Sequence, residues 1–144
     1  MDSHVVDISR VIQLAVAPVF LLTAIATMIN AMNTRLGRIV DRRRKVSERL
    51  NDPNEEVAFE AKSELRSLFR RIRLAYISIL FSVLSGLLIC LVIAGAFIGA
   101  LVSVDLARVV AVTFVLAMFS MVISLGMFLR EVYLAVSSGS HKIS

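Results

Sequence analysis

The sequence predicts an all-α integral membrane protein with three transmembrane helices, the first two extended into a cytoplasmic antiparallel helical hairpin. Three observations point there. Of the 144 residues, 58% are hydrophobic, with a mean hydropathy of +0.82; a soluble domain is nearer 45–50% apolar. The excess gathers in three uncharged runs, Val11 to Thr34, Leu74 to Val104 and Val109 to Leu129. Each exceeds the roughly 18–20 residues that cross a hydrocarbon core about 30 Å thick. Basic residues are just as uneven: twelve of the sixteen Lys and Arg fall between Arg35 and Arg73. The chain reads as one membrane domain over 1–144, with spans at about 11–34, 74–102 and 108–130 and the hairpin at about 35–73.

The first run reads as a retained span. Its leader, "MDSHVVDISR", carries Asp2 and Asp7 instead of a basic region, and the apolar stretch is too long for a signal peptide. Pro18 removes one backbone hydrogen bond and bends the helix. No proline follows until Pro53, and apolar residues continue past the run at Leu36, Ile39, Val40, Val46 and Leu50. That helical spacing carries helix one from about Val6 to Leu50, on the order of 65 Å, more than twice the hydrocarbon thickness.

"NDPNEE" then breaks the chain. Asp52 as N-cap, Pro53 at the first helical position and Glu55 at N3 form a variant capping box. The second helix shows Val57, Ala61, Leu65, Leu68 and Ile72 on one side and runs without a stop into span two. Residues 35–49 are mainly basic and 52–64 mainly acidic, so an antiparallel turn near Asp52 sets opposite charges side by side. Asp41 with Lys45, and Arg44 with Glu48, are spaced for i,i+4 pairs within helix one. Solvated pairs contribute only about 0–1 kcal/mol each, so they select register more than they stabilise.

Span two repeats small residues every fourth position, at Ser78, Ser82, Gly86, Cys90 and Ala94, and adds a GxxxG at Gly95 and Gly99. Ser78, Ser82, Gly86, Gly95 and Gly99 are the expected helix-packing positions, since small residues let backbones approach where lipid supplies no hydrophobic drive. Two such faces suggest a homo-oligomer. Span three offers Thr113, Ala117, Ser120 and Ser124.

Orientation follows from basic residues in the short loops. The N-terminal tail has Arg10, the turn after span two has Arg108, and the C-terminal tail has Arg130 and Lys142. The connector and C-terminus are therefore expected in the cytoplasm, with the N-terminus and the 103–108 turn outside. Tyr76 and Tyr133 fall near the inner interface in agreement. The isoelectric point near 10.1 is thus an orientation signal, not a nucleic-acid footprint. Arg35, Arg38, Arg70, Arg71 and Arg73 lie at headgroup level, where long side chains reach phosphates.

Catalysis has little to stand on. His4 and His141 sit far apart in the tails, "SSGSH" reads as a short flexible end, and Cys90 is alone. No charged residue falls inside the three apolar runs, and no metal-spaced cluster, phosphate loop or nucleophile–base set is present, so neither an enzyme nor a cofactor is expected.

The open feature is polar. Thr23, Thr27, Asn30 and Thr34 step by 4, 3 and 4 along one face of helix one, with Asn33 one step round. Threonine hydroxyls can bond their own helix, but two amides at the inner end of a span need other partners. They can bridge to the other spans or to another copy, line a water-filled path in a ring of copies, or form an inner-leaflet docking site. The first function expected is a homo-oligomeric ion or small-solute channel lined by helix one. The alternative is a non-conducting scaffold or regulator whose cytoplasmic hairpin binds a protein partner or anionic lipid.

At "LAVAPVFLLTAIATMINAMNTRLGRIVDRRR", Leu14 to Arg44, the sequence resembles a bacterial family of short three-span membrane proteins catalogued as a domain of unknown function. Pro18, Leu21 to Thr23, Asn30, Asn33, Arg35, Leu36, Arg38, Ile39, Asp41 and Arg42 carry the resemblance. It implies the same fold and a bacterial inner-membrane location, and draws attention to Asn30, Asn33, Arg35 and Asp41. It implies no activity.

Overall fold

The computed structural model describes residues 2–140, and no strand occurs among them. Helix α1 spans Asp2–Glu48, a single 3-10 turn follows at Arg49–Asn51, α2 spans Glu55–Val102, and α3 spans Ala107–Ser140. All three α-helices are long and apolar enough to cross a membrane. Pro18 is accommodated inside an uninterrupted α1. Residues 137–140, expected to be a flexible end, continue α3; His141 and Lys142 lie outside the described residues.

The turn between α1 and α2 is built differently from the expected capping box. Asp52 is extended, at φ −67° and ψ 136°, because a residue before proline is pushed out of the helical region. Its carboxylate accepts from the Asn54 amide at 3.0 Å, and Asn54 Oδ1 in turn accepts from the Glu56 amide at 3.1 Å. Asn54 is therefore the N-cap, and Glu55 and Glu56 occupy the first turn, where the helix dipole favours negative charge. Proline sits one residue ahead of the cap, not just inside the helix.

The contacts divide into two compact units. The first takes residues up to 29 and 81–123. Its core is Ile25, Ile89 and Ala117, one from each helix, with Leu21, Leu22, Ile29, Leu88, Ile93 and Met121 around them. A Cβ added at Gly86 would lie 3.6 Å from Ile25, and one at Gly95 only 3.2 Å from Val110. Gly86 thus admits α1 and Gly95 admits α3, the close backbone approach that small residues allow in lipid. Ser85 Oγ donates to the Ala117 carbonyl at 2.8 Å and Ser120 Oγ to the Phe81 carbonyl at 2.7 Å, stitching α2 to α3.

The second unit takes residues 30–80 and those from 124 onward. Here α1 and α2 zip through Ile39, Val46, Ala61 and Leu68, flanked by Leu50, Leu65 and Ile72. Arg42 donates twice to Glu64 Oε1, at 2.8 and 2.6 Å. The i,i+4 pairs expected at Asp41–Lys45 and Arg44–Glu48 do not form; these side chains are exposed, where such pairs contribute little. Arg43 instead lies over the Phe69 ring, 4.4 Å from its centre. Buried Ser78 and Ser124 donate to each other's carbonyls, at 2.8 and 2.7 Å, tying α2 to α3.

The small-residue stripe on α2 needs a correction. Ser78 and Ser82 are buried, but Cys90 and Ala94 are exposed, and the buried line runs through Ser85, Ile89 and Val92 instead. A strict four-residue step gains about 40° on the true helical repeat each time. After three or four steps the stripe has rotated out of the contact.

Candidate functional site

Each residue of α1 advances about 100° round the helix, so its faces can be assigned from burial. Ile25, Met32, Ile39 and Val46 are buried at spacings of seven and mark the side turned to the protein's own core. Asn30 lies two residues before Met32 and five after Ile25, about 140–160° away from that line. Thr23, Thr27, Asn30, Asn33 and Thr34 are all exposed. Thr23, Thr27, Asn30 and Thr34 therefore point away from the buried line, and Asn33, one residue after Met32, sits on its flank about 100° round.

Their hydrogen bonds confirm the division between hydroxyls and amides. Thr23 donates to the Val19 carbonyl at 3.2 Å, Thr27 to Thr23 at 3.0 Å and Thr34 to Asn30 at 3.0 Å. Each hydroxyl is satisfied within its own helix. Neither amide side chain, Asn30 or Asn33, meets a partner among the described residues, so a bridge to the other spans of the same chain is not made. Gly37, seven residues beyond Asn30 on this face, has open space where a side chain would stand.

The basic residues behave in two ways. Arg38, Arg70 and Arg73 are exposed. Arg35 and Arg71 turn inward onto Glu131, whose side chain is 1% exposed. Arg71 donates to Glu131 Oε1 at 3.0 Å, and Arg35 lies 3.5 Å from Oε2 with its guanidinium over the Phe128 ring. One carboxylate thus joins α1, α2 and α3, and two guanidiniums against one carboxylate leave a net charge of +1. Arg71 Nε is buried and has no hydrogen-bond partner among the described residues.

Glu131 was not singled out by sequence reasoning, which treated the end of span three as a tail. A signal was there: Ala117, Ser120 and Ser124 step by 3 and 4 along one face, and seven more residues reach Glu131 on the same face. A carboxylate at the close of a small-residue stripe, among inward arginines, is an ion-pair position. The geometry offers an exposed amide face on α1 and a partly buried ion cluster joining the three helices, and no nucleophile set among the described residues of either.

No curated protein and no solved structure matches the chain. Residues 15–140 match a family described as a protein of unknown function (DUF2721), a stretch that covers α2, α3 and α1 from residue 15 onward. The chain belongs to the DUF2721 family of unknown function.

Proposed function

We propose that the protein assembles from identical copies in the bacterial inner membrane, with α1 of each copy facing a polar path that conducts an ion or small solute. The N-terminus lies outside, and the hairpin and C-terminus lie in the cytoplasm, on the strength of the basic connector. The observation that carries this reading is the outward amide face. An amide left unpaired in an apolar medium costs about 1–3 kcal/mol on mutational scales, so two per chain favour a contact that supplies water or another amide. Gly37 leaves room on that face for a second helix.

The ion cluster bears on the selectivity of such a path. Arg35 is held by Glu131, leaving Arg38 and Asp41 as exposed charges beyond Thr34 on the polar side. Rings of both signs disfavour a strong preference for either ion charge. The reading includes no catalytic step and no cofactor.

Reconstitution tests it. In nanodiscs the mass should be that of several copies, and liposome flux should fall at least tenfold in Asn30→Leu while the assembly persists. A monomer overturns the channel, because three helices cannot enclose a conduit. A second reading, a scaffold that docks a partner through the hairpin, is favoured by Phe59, 74% exposed on α2 outside the apolar run. Wild-type protein that forms the assembly but carries no flux, and loses a bound partner in Phe59→Ser, selects that reading.

A further inference from the structure

Within the first unit, α1 and the two helices joined by the 103–106 turn enclose an open groove of about 440 Å³. That falls within the 300–1,000 Å³ typical of small-molecule sites. Its floor is Gly95, Ala96, Gly99 and Ala100 of α2, residues with almost no side chain to fill it, and Val11 and Leu14 of α1 wall one side. The mouth is polar. Arg10 and Asp105 both line it, both are exposed, and they form no ion pair with each other or with any other described residue. Asp105 keeps one oxygen on the Ala107 amide, at 3.1 Å, which fixes the carboxylate beside the start of α3.

A groove with an apolar floor and two separated charges of opposite sign at one end matches one common membrane molecule. We infer that it holds a glycerophospholipid with a primary-amine headgroup, phosphatidylethanolamine by chemistry, in the leaflet on the side of the 103–106 turn. The acyl chain lies along the glycines and alanines, the phosphate meets Arg10, and the ammonium meets Asp105. Charge-assisted bonds to a phosphate and from an ammonium are the strong members of their class. A wholly anionic headgroup would satisfy Arg10 and meet repulsion at Asp105; a quaternary ammonium could not donate to Asp105. The site depends on the helices standing in a bilayer and is independent of whether α1 lines a conduit.

The test uses the full chain, purified in mild detergent and examined by native mass spectrometry with added phosphatidylethanolamine, phosphatidylcholine or phosphatidylglycerol. One phosphatidylethanolamine should remain per copy, bound about tenfold more tightly than either other lipid. Asp105→Asn keeps the oxygen that caps α3 and removes the charge, so the preference over phosphatidylglycerol should vanish. Arg10→Gln should weaken both lipids. Ala96→Phe fills the groove and should abolish retention; Ala100→Leu serves if that variant loses helicity by circular dichroism. Equal retention in every folded variant means annular lipid only and overturns the site. Loss of the assembly instead of the lipid in the filled variant also overturns it, and assigns the groove to a second copy.

Discussion

Glu131 shows what a single side chain does when two others depend on it. Its replacement by glutamine leaves Arg35 and Arg71 facing each other without a carboxylate. Removing one partner of a buried pair costs about 3–5 kcal/mol, and Arg35 is 38% exposed, so Glu131→Gln should cost about 3 kcal/mol. Thermal unfolding in detergent reads it, and the double change Glu131→Leu with Arg71→Met should recover part of the loss. Ser103 makes an opposite case. It takes a left-handed conformation, φ 55°, directly after α2 ends, where glycine is the usual residue and an L side chain is disfavoured by roughly 1–2 kcal/mol. Ser103→Gly should therefore raise the unfolding midpoint. At this scale the sequence was only partly legible. The polar stripe could be named from spacing alone; the face that leads to Glu131 was legible too, but its two arginine partners were not until Arg35 and Arg71 were seen to turn inward.

Helices are where the sequence speaks most clearly and where its small errors have identifiable causes. Three apolar runs and an unbroken connector foretold α1, α2 and α3 because length and hydropathy are summed over many residues, and no single contact can override them. The cap moved by two residues because Pro53 acts on the residue before it, a local effect that the capping-box spacing ignores. Ser85 was missed because steps of four drift off the helix. Its bond to the Ala117 carbonyl, and the reciprocal pair of Ser78 and Ser124, are hydroxyl bridges between helices made by buried side chains. Such bridges average about 0.6 kcal/mol and reach about 1.7. Ser124→Ala breaks one of the two reciprocal bonds and should lower stability by about 1 kcal/mol in the same unfolding assay. Arg42→Ala, an exposed ion pair, should cost less than about 1 kcal/mol.

For the whole molecule, the balance between inside and outside is the controlling fact. Leu14, Phe20, Leu101, Phe119 and Leu129 are each more than 60% exposed, a surface that only lipid or another copy can cover. Amid that apolar exterior the amides of Asn30 and Asn33 are the anomaly, and they locate where assembly is expected. Single cysteines placed at Thr27 or Gly37 in a Cys90→Ala background should form disulfide-linked dimers on mild oxidation, whereas one at Phe119 should not. Cross-linking from Phe119 alone would move the interface to α3. No pattern in one sequence discloses how many copies the proposed assembly would hold, because that number is set by the angle at which two surfaces close, and spacing along one helix does not encode it.

The Glu131 cluster also has a consequence for how the chain is made. Arg35 and Arg71 are synthesised first, and the carboxylate that joins them follows Arg71 by 60 residues. At about 5–20 residues per second that delay is roughly 3–12 s. Through this interval two helices can reach the bilayer with a pair of guanidiniums held near each other and nothing between them. Arrival of the third helix supplies the missing charge and closes the set, so the last part made is the one that locks the earlier two. A chain stopped before Glu131 should accordingly reach the membrane and be cleared by proteolysis faster than the full one in a pulse-chase.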